Sequence, residues 1–97
     1  SAEDVARGKP DPEPFLLALE LLNKPDGIPT TAPIKPDECL VIEDSIPGIR
    51  SGKTAGMKVL AVANTHAIGE LDEADAITPG LDQVDLHELS GRLWGTG

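Results

Sequence analysis

The stretch from Leu40 to Met57, which reads LVIEDSIPGIRSGKTAGM, constrains the fold of this chain more than any other. It begins with a short apolar run, Leu40 to Ile42, that is rich in β-branched residues and too short for a helix, which predicts a buried strand. Ser45 then stands where a helix N-cap is expected, and the helical segment ends at Gly56 before a second apolar run opens at Val59. Strand, helix and strand in this order predict a βαβ unit, and therefore a parallel sheet with a right-handed crossover.

Two adjacent carboxylates, Glu43 and Asp44, follow the first predicted strand. Ligands of open parallel sheets bind beyond the carboxyl ends of the strands, and carboxylate oxygens suit Mg²⁺ held together with a phosphate substrate. Lys9 stands in a loop that enters a helix N-terminus, where its charge and the helix dipole both favour an anion. If the two loops converge, Lys9, Glu43 and Asp44 form a phosphate-plus-metal site. The residues alone leave a solvated turn at Glu43 and Asp44 as the competing interpretation.

An amphipathic helix is predicted before this unit. Asp11 stands at the N-cap position, and Pro12 is tolerated at the first helical position because its missing N–H has no helical partner there. Apolar residues then recur with helical spacing to about residue 23, and we expect this face to lie on the sheet. The residues of that face are Phe15, Ala18, Leu19 and Leu22.

The remaining segments complete an alternating pattern of helices and strands. Residues 24–37 contain four prolines and predict an exposed loop, longer than the usual helix-to-strand connection of about 2–6 residues. Val59 to Ala63 predicts a second strand and Ala76–Ile77 a short third one. The helical spacing of Leu86, Leu89 and Leu93 predicts a final helix.

Three glycines, Gly48, Gly52 and Gly56, lie four residues apart and so share one face of the predicted central helix. An interior glycine costs about 1 kcal/mol relative to alanine. Close approach of the helix backbone to the sheet would account for that cost, with Gly56 serving as the C-cap. At Gly52, sequence drift at a tolerant site is an equally open interpretation.

Composition and charge exclude several classes of protein. The chain has 97 residues, enough for one small domain, and its net charge of −9 argues against nucleic acid or an anionic membrane surface as a partner, because both reward Lys and Arg. No stretch approaches the roughly 20 apolar residues of a transmembrane helix, and no signal peptide is recognisable. The single cysteine, Cys39, cannot form an intrachain disulfide, which favours a reducing compartment; we expect a cytoplasmic protein.

Two segments resemble the third and fourth motifs of the haloacid dehalogenase-like hydrolases: GKPDPEPF at residues 8–15 and VIEDSIPGIRSGKTAGM at residues 41–57. The likeness is closest to the subgroup with β-phosphoglucomutase and small sugar-phosphate phosphatases, and it covers nearly the whole chain. The resemblance implies an α/β fold, namely the C-terminal part of a Rossmann-like, three-layer core domain with a parallel sheet.

The resemblance also implies roles for individual residues. Lys9 would neutralise the transferring phosphoryl group and the nucleophilic aspartate. Glu43 and Asp44 would hold Mg²⁺, with Asp44 the surer direct ligand. Ser45 would cap the helix and form the loop, and Gly48 would permit close packing. The implied chemistry is phosphoryl transfer from a small phosphorylated metabolite through an aspartyl-phosphate.

The sequence lacks several features of the family pattern. Family members carry a DxD motif after their first strand, which supplies the nucleophile and a general acid–base, and then a Ser/Thr motif. They also carry a cap domain that sets substrate choice. None of the three is found in this sequence. We therefore expect residues 1–97 to be the C-terminal part of one core domain, with the nucleophile strand and the cap domain outside this chain. Alone, such a chain should be inactive and poorly stable, because it needs the upstream part of its own protein to complete the site.

Other functions compete with a phosphatase. A phosphomutase of the β-phosphoglucomutase type would share the same motifs. A non-enzymatic receiver-like module also places acidic residues and a lysine at the end of a parallel sheet, but there the acidic pair precedes the lysine, whereas here Lys9 precedes Glu43 and Asp44. A degenerate scaffold is disfavoured because Lys9, Glu43 and Asp44 are all intact.

Overall fold

The computed structural model describes residues 11–28, 32–63 and 68–95. Within these ranges the chain forms three strands, three α-helices and three short 3₁₀ turns. The strands are β1 (Leu40–Glu43), β2 (Lys58–Val62) and β3 (Ala76–Thr78), and the helices are α1 (Glu13–Leu22), α2 (Ile46–Thr54) and α3 (Leu86–Trp94). The 3₁₀ turns span Pro36–Glu38, Ile68–Leu71 and Leu81–Gln83.

The three strands form one parallel sheet in the order β1-β2-β3. Val41 lies opposite Val59 and Glu43 opposite Ala61, while Leu60 lies opposite Ala76. Because the strands are parallel, their carboxyl ends meet at one edge of the sheet. The α/β class and the parallel βαβ unit predicted from the sequence are therefore confirmed.

Helices cover both faces of the sheet, as the alternation of side chains along each strand requires. On one face, Val41, Val59 and Ala61 pack with Ile49 of α2 and Leu19 of α1. On the other face, Leu60 and Ala76 pack with Leu89 of α3. The described residues therefore form three layers, as the resemblance implies for this part of a Rossmann-like core.

Two of the three aligned glycines have the packing and capping roles predicted for them. A Cβ added at Gly52 would lie 2.7 Å from Val59 Cγ2 and 3.4 Å from Val41 Cβ, so the α2 backbone approaches the sheet closely there. Gly56 has φ +82°, in the left-handed region that glycine tolerates best. The Gly56 N–H donates to Lys53 O and the Met57 N–H donates to Gly52 O, which is the Schellman arrangement that ends a helix.

Helix α1 differs from the prediction in its start and its buried face. It begins at Glu13 after Pro12, and Asp11 only accepts a hydrogen bond from the Glu13 N–H at 2.8 Å. Leu19 is buried and Phe15 packs against the same core, but Leu22 is 41% exposed. The predicted apolar stripe therefore reaches the sheet over only part of its length, because β1 ends the described sheet on this side.

The proline-rich segment 24–37 is mostly exposed where it is described, as predicted, but Ile34 and Pro36 are half-buried and Ile34 packs against the core. The side chain of Asn23, which precedes the segment, is hydrogen-bonded to Ile34. Asn23 Nδ2 donates to Ile34 O at 3.0 Å, and the Ile34 N–H donates to Asn23 Oδ1 at 2.7 Å. This paired contact holds the end of α1 beside the approach to β1. No helix in the described part of the chain is long and apolar enough to cross a membrane.

Candidate functional site

The candidate site is an open cleft at the carboxyl ends of β1 and β2. Its lining residues are Ile42, Glu43, Asp44, Val62 and Leu81. The two carboxylates come from the end of β1 and the residue that follows it, so the parallel sheet delivers them to the edge where ligands of such sheets bind. The sequence predicted Glu43 and Asp44 at this edge, and the structure brings them there.

Glu43 is half-buried, and the loop that follows it fixes one of its carboxylate oxygens. Oε1 accepts hydrogen bonds from the Asp44 N–H at 3.1 Å, the Ser45 N–H at 3.2 Å and the Ser45 hydroxyl at 3.1 Å. Within the described ranges, no donor forms a hydrogen bond to Oε2. The carboxylate is thus held by one oxygen and keeps the other for a ligand.

Ser45 joins the carboxylate to the start of α2. Its side chain accepts a hydrogen bond from the Gly48 N–H at 3.0 Å, so the predicted N-cap is confirmed. The same hydroxyl donates its hydrogen to Glu43 Oε1. One side chain therefore satisfies an otherwise unpaired N–H of the first helical turn and also orients Glu43.

Gly48 is the point where the Glu43 side chain crosses the first turn of α2. A Cβ at Gly48 would lie 2.1 Å from Glu43 Cδ, 2.3 Å from Cγ and 2.5 Å from Oε2, all far inside normal contact distances. The sequence predicted that Gly48 permits close packing of the helix on the sheet. The structure shows this close packing, and the partner of Gly48 is the side chain of Glu43, the last residue of β1.

Asp44 differs from Glu43 in its surroundings. Its residue is exposed, and no described group donates a hydrogen bond to its side chain. No described Lys or Arg forms an ion pair with Glu43 or Asp44, since the ion pairs found are Arg50–Glu73 and Lys53–Asp75. The cleft therefore presents negative charge that the described part of the chain does not neutralise.

This donor set fits a hard divalent cation such as Mg²⁺, which prefers oxygen ligands in an octahedral arrangement. Glu43 and Asp44 supply carboxylate oxygens without competing cationic partners. Among the described residues, however, no group of three or more His, Cys, Asp or Glu side chains converges on one point. Further ligands for an ion here would come from water, from a phosphate or from residues beyond those described.

The remaining predicted site residue is Lys9. It was predicted to lie near the carboxylates, and it falls outside the described residues. Leu81, at the start of the Leu81–Gln83 turn, also lines the cleft and is 53% exposed. This was not predicted from the sequence. Its position shortly after β3 could have indicated it, since loops after neighbouring parallel strands share one edge of the sheet.

The chain is similar in sequence to a known family and to several curated proteins. A family model described as haloacid dehalogenase-like hydrolase matches residues 1–56. The chain is 37% identical over 86 residues to hexitol phosphatase A of Escherichia coli, with 89% of this chain covered. It is 42% identical over 76 residues to a bifunctional riboflavin kinase/FMN phosphatase of Arabidopsis thaliana, with 74% covered. It is 40% identical over 91 residues to a probable pseudouridine-5′-phosphatase of Saccharomyces cerevisiae, with 92% covered.

The matches cover a limited part of these relatives. The aligned region spans 35% of the hexitol phosphatase, 17% of the riboflavin kinase/FMN phosphatase and 37% of the pseudouridine-5′-phosphatase. No solved structure gives a significant match to the chain.

Proposed function

Because this chain belongs to the haloacid dehalogenase-like hydrolase family, we propose that it is the C-terminal part of a Mg²⁺-dependent phosphatase of small phosphorylated metabolites. The observation that carries the proposal is the pair of carboxylates in the cleft: Glu43 is held through one oxygen, and Asp44 is exposed without a described protein partner. The relatives' names support the substrate class, since they describe phosphatases of a hexitol, of FMN and of pseudouridine 5′-phosphate.

Each residue of the site has a proposed role in this reaction. Asp44 binds the metal ion directly, and Glu43 contributes through the oxygen that its hydrogen bonds leave available. Ser45 and Gly48 hold the loop from which both carboxylates project. Bound Mg²⁺ supplies positive charge to the oxygens of the transferring phosphoryl group. Lys9 adds a second positive charge, which neutralises the phosphoryl group and the nucleophilic aspartate.

The proposal requires a nucleophile from the upstream part of the same protein. Its aspartate carboxylate attacks phosphorus as the P–O ester bond breaks, and the departing oxygen takes a proton from the general acid–base of the same upstream DxD motif. Water then loses a proton to that group and attacks the aspartyl-phosphate, which releases inorganic phosphate and regenerates the carboxylate. No described strand pairs with the edge of β1 that faces away from β2. This edge supports the proposal, because a strand from the upstream part could pair with it. An apolar groove also runs beside β1, lined in part by Phe15, Leu19, Val41 and Met57.

The test is Mg²⁺-dependent hydrolysis of p-nitrophenyl phosphate by the 97-residue chain and by the same chain with its upstream segment restored. We expect activity only in the longer protein, reduced by at least about a hundredfold in the variant Glu43→Ala/Asp44→Ala. The matched control is Asp72→Ala/Glu73→Ala, which removes another adjacent acidic pair, one that precedes β3 and has both residues exposed. This control should keep wild-type activity.

Three results would revise the proposal. Activity in the short chain that the Glu43→Ala/Asp44→Ala change abolishes would show that an aspartate within these 97 residues is the nucleophile. Activity in the longer protein that survives this change would remove the carboxylates from the reaction. No activity in either protein would favour the phosphomutase or the non-enzymatic alternatives.

A cytoplasmic location is also part of the proposal. Cys39 is free and half-buried, and it is the single cysteine of the sequence. Burial and the nearby charges of Glu38 and Asp37 raise the pKa of its thiol, so it is a poor nucleophile with no indicated role in the reaction.

A further inference from the structure

Gly48 lies in the first turn of α2, and its contacts belong to the candidate site. The position that a Cβ would occupy is already filled by Glu43, with Cδ at 2.1 Å and Oε2 at 2.5 Å. Gly52, one turn later in α2, is close to core side chains instead, with Val59 Cγ2 at 2.7 Å from its added Cβ. The two glycines of one helix face therefore accommodate different neighbours, one at the site and one in the core.

The Glu43 carboxylate is confined from two directions. The loop holds Oε1 through three hydrogen-bond donors, and the Gly48 backbone lies directly beneath Cδ and Oε2. The Gly48 N–H also donates to Ser45 Oγ, whose hydroxyl donates to Oε1. The Gly48 N–H therefore reaches the carboxylate through one intervening hydroxyl, and its missing side chain provides the space in which that carboxylate lies.

We propose that Gly48 is a positioning residue for divalent-cation binding, because its lack of a side chain allows Glu43 to lie against the first turn of α2 with Oε2 available to the ion. The inference rests on the proposed metal site at Glu43 and Asp44. Any side chain at position 48 displaces the Glu43 carboxylate. The terminal atoms of Glu43 can rotate away from the new side chain, whereas the backbone of α2 cannot move. Helix α2 itself tolerates alanine, which is a better helix former than glycine.

The test compares Gly48→Ala with Gly52→Ala in the full-length protein, and it measures Mn²⁺ binding by electron paramagnetic resonance and the thermal midpoint of the metal-free protein. We expect Gly48→Ala to weaken Mn²⁺ binding at least about tenfold, the usual effect of disturbing groups that orient metal ligands, with little change in the thermal midpoint. We expect the opposite for Gly52→Ala: a lower thermal midpoint from the clash with Val59, and unchanged Mn²⁺ affinity.

A double-mutant cycle shows whether Gly48 acts through Glu43. In a Glu43→Ala background the added Cβ meets no carboxylate, so Gly48→Ala should cause no further loss of Mn²⁺ affinity. If Gly48→Ala alone fails to fold, the double variant should fold as Glu43→Ala does. Failure of the double variant to fold would place the clash elsewhere and overturn the inference.

The outcomes separate this inference from the proposed function. Wild-type protein that binds no Mn²⁺, or whose binding is insensitive to Glu43→Ala/Asp44→Ala, would overturn both. Binding that is weakened by Glu43→Ala but unchanged by Gly48→Ala would overturn the role of Gly48 and leave the metal site standing. Additive losses in the double-mutant cycle would also overturn it, because Gly48 would then act independently of Glu43.

Discussion

At the scale of single residues, Asp75 and Asp44 show two opposite uses of a carboxylate. Asp75 Oδ1 accepts a hydrogen bond from Lys53 Nζ at 2.7 Å, and Oδ2 accepts one from the Val59 N–H at 2.7 Å. The Asp75 N–H also donates to Val59 O at 2.9 Å, so this residue joins α2, β2 and the start of β3. Asp44 has no described partner and is available to a ligand.

The contacts of Asp75 predict how stability depends on pH. Burial by itself would raise the pKa of Asp75, but the hydrogen bonds from Lys53 and the Val59 N–H, with the charges of Lys53 and Lys58, outweigh it and lower the pKa. A carboxyl whose pKa is lower in the folded state stabilises the fold above its unfolded pKa. This stabilisation is lost as pH falls through the folded pKa.

Asp75→Asn should therefore lower the free energy of unfolding by about 1 kcal/mol at pH 7, because the ion pair with the partly exposed Lys53 is lost while an amide oxygen can still accept the Val59 N–H. The difference from wild type should shrink as pH falls from the ordinary pKa of an unfolded aspartate, about 3.9, toward the lower pKa that Asp75 has in the folded state. Denaturant titrations of both proteins between pH 7 and pH 3 measure this. A difference that is independent of pH would contradict the assignment of the stabilisation to the charged carboxylate.

At the scale of elements, α2 carries the candidate site at its N-terminus and a core contact near its middle. Ser45 and Gly48 face Glu43 in the first turn, whereas Gly52 lies against Val59 and Val41. Gly56 ends the helix in the left-handed region. A change in the first turn is therefore expected to affect ligand binding, and a change near the middle is expected to affect stability.

Ser45→Ala should have both effects, since the hydroxyl serves the helix and the carboxylate at once. Loss of the N-cap should lower the free energy of unfolding by about 1 kcal/mol, and loss of the donor to Glu43 should weaken divalent-cation binding by about tenfold. Denaturant unfolding and Mn²⁺ titration measure the two effects separately.

Two variants serve as controls for Ser45→Ala. Ser45→Thr retains a hydroxyl and should restore both properties. Thr54→Ala removes an exposed hydroxyl at the other end of α2 and should change neither property. Wild-type cation affinity in Ser45→Ala would show that the hydroxyl serves only the helix.

At the scale of the whole molecule, the described sheet leaves one side of β1 uncovered. Ile42 of this strand is 47% exposed, and it lines an apolar groove between β1 and α1. Unpaired strand edges and exposed apolar side chains cost stability and invite association with other chains. Leu16, Leu17 and Leu21 of α1 are further exposed apolar side chains.

The 97-residue chain alone is therefore predicted to unfold at a temperature more than about 10 °C below that of a protein that carries the proposed upstream segment. Pairing β1 and covering Ile42 should together contribute more than about 2 kcal/mol, and each kcal/mol shifts the midpoint of such a domain by about 4–8 °C. Circular dichroism during heating measures both midpoints. A cooperative transition of the short chain, as monomer, at the temperature of the longer protein would contradict the prediction.

The sequence by itself determined the elements and the place of the carboxylates. β-branched runs, the serine before α2 and the glycine after it are local signals, since each depends on backbone conformation within a few residues. These signals were sufficient to predict the parallel βαβ unit and Ser45 as the cap of α2. They were also sufficient to predict that Glu43 and Asp44 lie at the carboxyl end of β1. The placement of Lys9 beside these carboxylates remains a prediction.

The tertiary structure decided which surfaces meet. Helical spacing placed Leu22 on the same face as Leu19, but only Leu19 is buried, because burial depends on where the described sheet ends. Leu81 lines the cleft because of the path of the loop after β3, and that path is a tertiary feature. The contact of Gly48 with Glu43 depends on the orientation of the Glu43 side chain, which lies against the first turn of α2. The pattern of residue types along the sequence does not determine that orientation.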